Sequence, residues 1–256
     1  EQRIKFWKKP KEVRMIVVKA GKRDIVNEAF RVLRTNFEFT IGTHPEQNVI
    51  VFTSFNPGSG KTHLASNMAM SLAIKKKKVL LIDGDLRHGS TSMLIHSPGE
   101  GLSDYLNGRI SDIHDILYKG EENGLVKNFD MIPIGTIPPN PTELLSTPLL
   151  EQMIQTMRQE YDYVFIDCPP IEVVADTPIY EQFADRTIFV VRSGLMERSM
   201  LPEIDALYKE KKFKNMTLIL NGTKTRGGRY GSHYGYGYGY GYGYGYNYNK
   251  EKNGGA

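Results

Sequence analysis

Three short stretches carry side chains whose types and spacing suit phosphate chemistry. The first, Ser54-Phe55-Asn56-Pro57-Gly58-Ser59-Gly60-Lys61-Thr62, lies between a β-rich run and a helical one. Glycine lets the backbone turn tightly there, so N–H groups and a helix N-terminus can present partial positive charge to an anion. In this setting Asn56, Pro57, Gly58, Ser59, Gly60, Lys61 and Thr62 read as a phosphate loop. Lys61 would reach the β- and γ-phosphates, and the Thr62 hydroxyl would ligate Mg²⁺. Phe55 departs from the pattern, because it stands where the first glycine is usual.

The other two stretches are acidic. They are Val79-Leu80-Leu81-Ile82-Asp83-Gly84-Asp85-Leu86-Arg87 and Val164-Phe165-Ile166-Asp167-Cys168-Pro169-Pro170. Each ends an apolar strand with a carboxylate, at the end of the strand where open α/β sheets bind ligands. Such a carboxylate can hold Mg²⁺ directly or through water. Either stretch alone reads equally well as a strand-ending turn. All three in this order define a magnesium–nucleotide site.

Alternating elements must position these residues. Asp24 can cap a helix carrying Ile25, Ala29, Phe30, Leu33, Phe37 and Ile41 on one face, with Gly42 as its stop. Strands are expected at Asn48–Ser54, Val79–Asp83, Phe129–Ile134, Tyr163–Asp167, Thr187–Arg192 and Thr217–Leu220. Helices are expected over residues 61–76, Glu143–Glu160 and Ser199–Lys211, with short helices and loops over 95–128. This alternation predicts an α/β, P-loop NTPase-like fold: a mostly parallel sheet with helices on both faces. With 256 residues and 40% hydrophobic content, one domain with appendages is the expectation.

Charge divides the chain into three. Residues 1–23 carry nine Lys and Arg against Glu1 and Glu12, and read as a basic juxtamembrane or linker segment. Residues 24–221, the expected catalytic domain, carry an acidic excess of seven. Residues 222–256 are again basic, with five Lys and Arg against Glu251. Basic ends on an acidic body suit anionic surfaces such as membrane headgroups or nucleic acid, or are simply solvated. From Gly222 onward Tyr and Gly alternate with no branched aliphatics to build a core, so this tail is expected to be disordered. The chain opens at Glu1 and is expected to be cut from something longer, and no apolar run approaches the ~20 residues of a membrane helix. The single cysteine, Cys168, excludes an internal disulfide and reads as packing. Tyr161 and Tyr163 read as structural, and the six histidines show no metal-ligand spacing.

The loop and the two acidic strand ends resemble the three Walker-type motifs of bacterial tyrosine kinases. Further matches are Glu28-x-x-Arg31-x-x-Arg34, the run Pro138-Pro139-Asn140-Pro141-Thr142-Glu143-Leu144-Leu145 and the tail tyrosines, so the resemblance spans roughly residues 12–256. It implies an ATP- and Mg²⁺-dependent protein-tyrosine kinase that phosphorylates its own C-terminal cluster in trans and regulates capsule or exopolysaccharide synthesis and export. The acceptors would be Tyr230, Tyr234, Tyr236, Tyr238, Tyr240, Tyr242, Tyr244, Tyr246 and Tyr248. By resemblance Lys61, Asp83, Asp85 and Asp167 are catalytic, with Asp83 orienting the attacking hydroxyl. Thr62, Asp83 and Asp167 are its Mg²⁺ ligands, and Asn221 contacts adenine. Asn221 also reads as a plain strand-ending turn residue.

Glu28, Arg31 and Arg34 would pair across a subunit interface and close a homo-oligomeric ring, an octamer in the family; spacing of three keeps them along one flank of the helix. The implied partners are a transmembrane activator or polysaccharide co-polymerase segment, upstream or in trans, and a cognate tyrosine phosphatase. The implied location is the cytoplasmic side of the bacterial inner membrane, and no nucleic-acid partner is expected.

Two rival classes compete with this reading. Partitioning and positioning ATPases place a signature lysine in the loop, where this sequence has Asn56. A nucleic-acid or self-association role for the tail would use Arg226-Gly227-Gly228-Arg229 and stacking tyrosines, but the Tyr-Gly tract lacks interleaved arginines.

Overall fold

A computed structural model describes residues 16–41, 46–173 and 176–223. The basic segment up to residue 15, Gly42 and all nine tail tyrosines lie outside the described residues. Six strands are described: β1 (Val49–Ser54), β2 (Val79–Asp83), β3 (Phe129–Ile132), β4 (Tyr163–Asp167), β5 (Arg186–Arg192) and β6 (Thr217–Asn221). They form one sheet in the order β3-β2-β4-β1-β5-β6, and every pair is parallel. The near-continuous apolar runs of β1, β2 and β4 follow from this placement, because an inner parallel strand is covered on both faces. All of β1 and β2 is buried.

Seven α-helices among the described residues accompany the sheet: α1 (Ile25–Ile41), α2 (Lys61–Ile74), α3 (Leu102–Leu106), α4 (Pro141–Leu145), α5 (Pro148–Glu160), α6 (Thr177–Glu181) and α7 (Leu201–Lys209). One core packs Leu102, Leu145, Leu150, Ile154 and Tyr180 against Val51, Leu80, Ile82 and Ile166. Another packs Phe30, Phe37, Met68 and Leu72 of α1 and α2 against Phe52, Leu81 and Phe165. Inward positions alternate along each strand, so helices cover both faces of the sheet.

The expected helix over Glu143–Glu160 is instead α4 followed by α5. Pro148 has no N–H to donate and disfavours helical geometry at the residue before it. Thr147 is accordingly extended, at φ −78° and ψ 151°, and Pro148 opens a new helix. The region expected as short helices and loops contains α3 and short 3₁₀ turns at Ile113–Ile116 and Glu121–Asn123, and a further 3₁₀ turn at Ser92–Ile95 leads into it.

α1 is capped as expected, with Asp24 Oδ1 accepting from the Asn27 amide at 2.9 Å. Its buried face differs from the expected one. It consists of Asn27, Phe30, Arg34, Phe37 and Ile41, while Ile25 is 84% exposed. The first turn packs on a strap, residues 17–19, whose Val18 is buried in the same core as Phe30 and whose backbone amides are held by side chains. Asn27 Oδ1 accepts from the Lys19 amide at 2.8 Å, and Asn67 Oδ1 of α2 accepts from the Val17 and Val18 amides at 2.7 and 3.1 Å.

Within this chain Arg34 is placed apart from Glu28 and Arg31. Its Nη1 donates to the Ser71 carbonyl at 2.9 Å and to the Ser71 hydroxyl at 3.1 Å, and the residue is buried. Glu28 and Arg31 pair with each other at the surface, and Arg31 also donates to the Lys22 carbonyl. Arg34 therefore staples α1 to α2 within the chain.

Replacing Arg34 by alanine strips a buried carbonyl of its donor, which costs about 1–3 kcal/mol. Urea unfolding of Arg34→Ala should show a loss of this size, and an unchanged midpoint would contradict the staple.

Candidate active site

The phosphate loop runs from the end of β1 into α2. Gly58 and Gly60 adopt φ of 74° and 93°, the left-handed region that only glycine enters without strain. The loop's carbonyls are held by surrounding side chains. Ser54 and Ser59 hydroxyls donate to the Asn56 carbonyl at 2.9 and 2.8 Å, Arg192 to the Gly58 carbonyl at 2.7 Å, and Asn221 Nδ2 to the Ser59 carbonyl at 2.9 Å. The amides of the first turn of α2 have no acceptors within the helix, which suits them to an anion. Phe55 keeps a negative φ, so a side chain is tolerated there. It packs with Phe189, Ile204 and Phe213 and so anchors the loop beside β5 and α7. Asn56 donates to Glu172 Oε2 at 2.8 Å. Asn221 lies against the loop at the end of β6, and a Cβ built on Gly60 would collide with its side chain.

β2 and β4 bring the two strand-ending carboxylates together. Asp83 and Asp167 are register partners on these adjacent strands, and Asp167 also faces Phe52 of β1. Both are essentially inaccessible to solvent. Asp83 Oδ2 accepts from the Ser92 amide and the Ser92 hydroxyl, each at 2.7 Å. Asp167 Oδ2 accepts from the Thr91 hydroxyl at 2.6 Å, while its Oδ1 is buried with no hydrogen-bond partner among the described residues. Burial first, and then the neighbouring Asp167 charge, push the Asp83 carboxyl up to about 7. Burial also pushes Asp167 up, opposed by the Lys61 charge and the hydroxyls of Thr62 and Thr91. The thiol of Cys168 is raised by burial, which suits packing.

Asp85 lies at the mouth of the same cluster, where its carboxylate accepts from the Arg87 amide at 3.2 Å and meets His88 Nδ1 at 3.2 Å. Arg87 pairs with the fully buried Asp176 at 3.3 Å and donates to Thr142 Oγ1 at 3.1 Å. Thr142 in turn donates to Asp176 at 2.7 Å. The Pro-rich run at 138–145 is thereby tied to the end of β2.

The residues fit Mg²⁺. Asp167 Oδ1 is an unpaired buried acceptor, and the Thr62 hydroxyl acts on the same carboxylate at short range. No group of three or more His, Cys, Asp or Glu among the described residues could hold a metal by itself.

Lys61, Thr62, Asp83, Asp85 and Asp167 therefore converge at the C-terminal ends of β1, β2 and β4, with Asn221 bordering the loop. Glu28 and Arg31 belong to the surface of α1, and Arg34 to its interior. Sequence reasoning missed Thr91, Ser92, Arg192 and Asp176. Hydroxyl pairs follow no spacing rule, and these contacts close over 76, nine, 134 and 89 residues of chain.

Fold and loop define a P-loop nucleotide-binding domain with two buried carboxylates at its phosphate end. Residues 47–195 match the AAA domain family. The tyrosine-protein kinase CpsD of Streptococcus agalactiae is 32% identical over 208 residues, covering 80% of this chain and 87% of that protein. The tyrosine-protein kinase Wzc of Salmonella typhimurium is 37% identical over 195 residues, 74% of this chain but 26% of that protein. The solved kinase domain of the Escherichia coli tyrosine kinase Etk superposes with a TM-score of 0.70 at 32% identity, covering 82% of this chain and 80% of that one. The chain belongs to the bacterial tyrosine-protein kinase family. It spans about a quarter of the length of Wzc and other long relatives.

A raised Asp83 makes the nucleotide-free protein pH-sensitive in a defined direction. The unfolded chain releases this proton near 3.8 and the folded one near 7, so stability is full below the lower value and falls as pH rises through the higher. Asp83→Asn removes the titration while keeping an acceptor for Ser92. Without nucleotide, the variant should melt above wild type at pH 8, with the difference vanishing towards pH 4. Parallel melting curves across that range would refute the assignment.

Proposed function

We propose that this chain transfers the γ-phosphoryl group of ATP to tyrosine hydroxyls, including those of its own tail. The observation that carries the reading is the pairing of Asp83 and Asp167 beside Lys61 and Thr62, in a chain of this family. The loop amides and Lys61 hold the β- and γ-phosphates, and Lys61 offsets charge as the phosphoryl group leaves ADP. Thr62, Asp83 and Asp167 would hold Mg²⁺, which when bound neutralises charge shared between the β- and γ-phosphates. Asp83 orients the tyrosine hydroxyl as the new phosphorus–oxygen bond forms and the bond to ADP breaks. Asp85 supports the site, and Asn221 borders the adenine end.

The acceptors are Tyr230, Tyr234, Tyr236, Tyr238, Tyr240, Tyr242, Tyr244, Tyr246 and Tyr248, presented to a neighbouring subunit. Glu28 and Arg31 contribute to that assembly; α1 also exposes Ile25, Val32 and Phe39, at seven-residue spacing along its outer side. Arg34 acts there only indirectly, through the α1–α2 staple. An octameric ring, a co-polymerase-type activator, a tyrosine phosphatase, the inner-membrane location and a role in capsule or exopolysaccharide export complete the reading. Its support is the family and the basic first segment, since no described helix is long and apolar enough to cross a membrane. The partitioning-ATPase alternative needs a lysine at the position of Asn56, whose side chain is engaged with Glu172.

The test is incubation with labelled ATP and Mg²⁺ followed by phospho-residue analysis. Wild type should accumulate phosphotyrosine, and Lys61→Met should lose it while keeping its melting temperature. Changing all nine tail tyrosines to phenylalanine should remove self-labelling but leave phosphorylation of an added tyrosine peptide. Label on serine, or none on tyrosine, would reject the kinase reading.

A further inference from the structure

We infer that Thr91 and Ser92 are positioning residues for phosphoryl transfer: adjacent hydroxyls that fix the two buried carboxylates and leave Asp167 Oδ1 as the oxygen turned to the cation. The inference rests on the nucleotide reading above and names residues which that reading leaves unassigned. Thr91 and Ser92 are buried, and each donates its hydroxyl to a different carboxylate, Thr91 to Asp167 Oδ2 at 2.6 Å and Ser92 to Asp83 Oδ2 at 2.7 Å.

The direction of the Ser92 hydrogen bond is set by the backbone. Ser92 Oγ accepts from the Ile134 amide at 2.9 Å, so its own proton goes to Asp83. The Ser92 amide donates to that same oxygen at 2.7 Å, so Asp83 Oδ2 is closed by two donors. Asp167 has one oxygen closed by Thr91, while Oδ1 has no hydrogen-bond partner among the described residues and the Thr62 hydroxyl stands close to the same carboxylate. A carboxylate held by one oxygen cannot swing to offer the other, so the bare oxygen keeps a fixed aim. Leaving a buried acceptor bare is costly unless a ligand uses it. Such hydrogen bonds behind a metal-binding carboxylate commonly set metal affinity by 10- to 100-fold.

The two hydroxyls are also one device. They are consecutive at the start of a 3₁₀ turn closed by Leu94 N to Thr91 O at 3.0 Å and Ser97 N to Ser92 O at 2.9 Å. Buried Ile95 fixes this turn in the core below α2. Asp83 and Asp167, 84 residues apart in the chain, thus take their orientation from a single turn.

The experiment measures ADP affinity by calorimetry, with excess Mg²⁺ and with chelator, for wild type, Thr91→Val and Thr91→Ser. Valine keeps the shape but donates nothing, and serine restores the donor. Thr91→Val is expected to bind ADP like wild type in chelator and to lose about tenfold of the Mg²⁺-dependent gain, with Thr91→Ser recovering most of it. A Thr91→Val protein with the full Mg²⁺-dependent gain overturns the inference. So does an equal loss with and without Mg²⁺, which would mark Thr91 as structural only. Wild type with no Mg²⁺-dependent gain would reject the magnesium–nucleotide reading itself.

Discussion

Two carboxylates buried side by side inside a parallel sheet impose the constraint on which the rest of this structure depends. Asp83 and Asp167 are register partners, so the backbone hydrogen bonds that build the sheet also force like charges together. Away from water such a pair resists ionising, and the raised carboxyls record that resistance. The strain is tolerable because positive charge and hydroxyl donors surround the pair. Lys61 approaches from the loop, Thr62 from the first turn of α2, and Thr91 and Ser92 from the turn after β2. A divalent cation with a nucleotide would supply the remaining charge, so binding and relief of repulsion are the same event.

The scaffold keeps this cluster from relaxing. β1, β2 and β4 are covered on both faces, so the strand ends cannot splay to separate the carboxylates. The phosphate loop is restrained from three directions by Arg192, Asn221 and Phe55, all contributed by its own end of the sheet. Arg87, Asp176 and Thr142 close the opposite side, where a buried aspartate has one partly exposed arginine to balance it. Pre-orientation of this kind lets a phosphoryl-transfer site work mainly by position and charge.

Much of this was legible in the sequence, for physical reasons. The inner strands appear as apolar runs ending in Asp, because a strand buried on both faces has no polar alternation and the first polar residue marks its mouth. Val79–Asp83 and Tyr163–Asp167 therefore ended where expected. Thr147-Pro148 held a helix break that pattern reading passed over in favour of the longer period. The Arg34 contact with Ser71 was not legible, because a long charged side chain can bury its stem and still reach a distant carbonyl. Thr91 and Ser92 were silent, since hydroxyls gain meaning only from what the chain brings opposite them. Ile25 looked like core because it fits the period of α1, yet the inward place in the first turn goes to Asn27, which is hydrogen-bonded to Lys19 and Asp24.

The strap at residues 17–19 has a mechanical side. Asn67 grips the amides of Val17 and Val18, and it lies on the helix that begins with Lys61 and Thr62, within about two turns of the phosphate loop. Tension applied to the chain ahead of residue 16 is therefore borne by α2 through two parallel hydrogen bonds before it reaches α1. The strap and the phosphate loop thus share one helix as their common support.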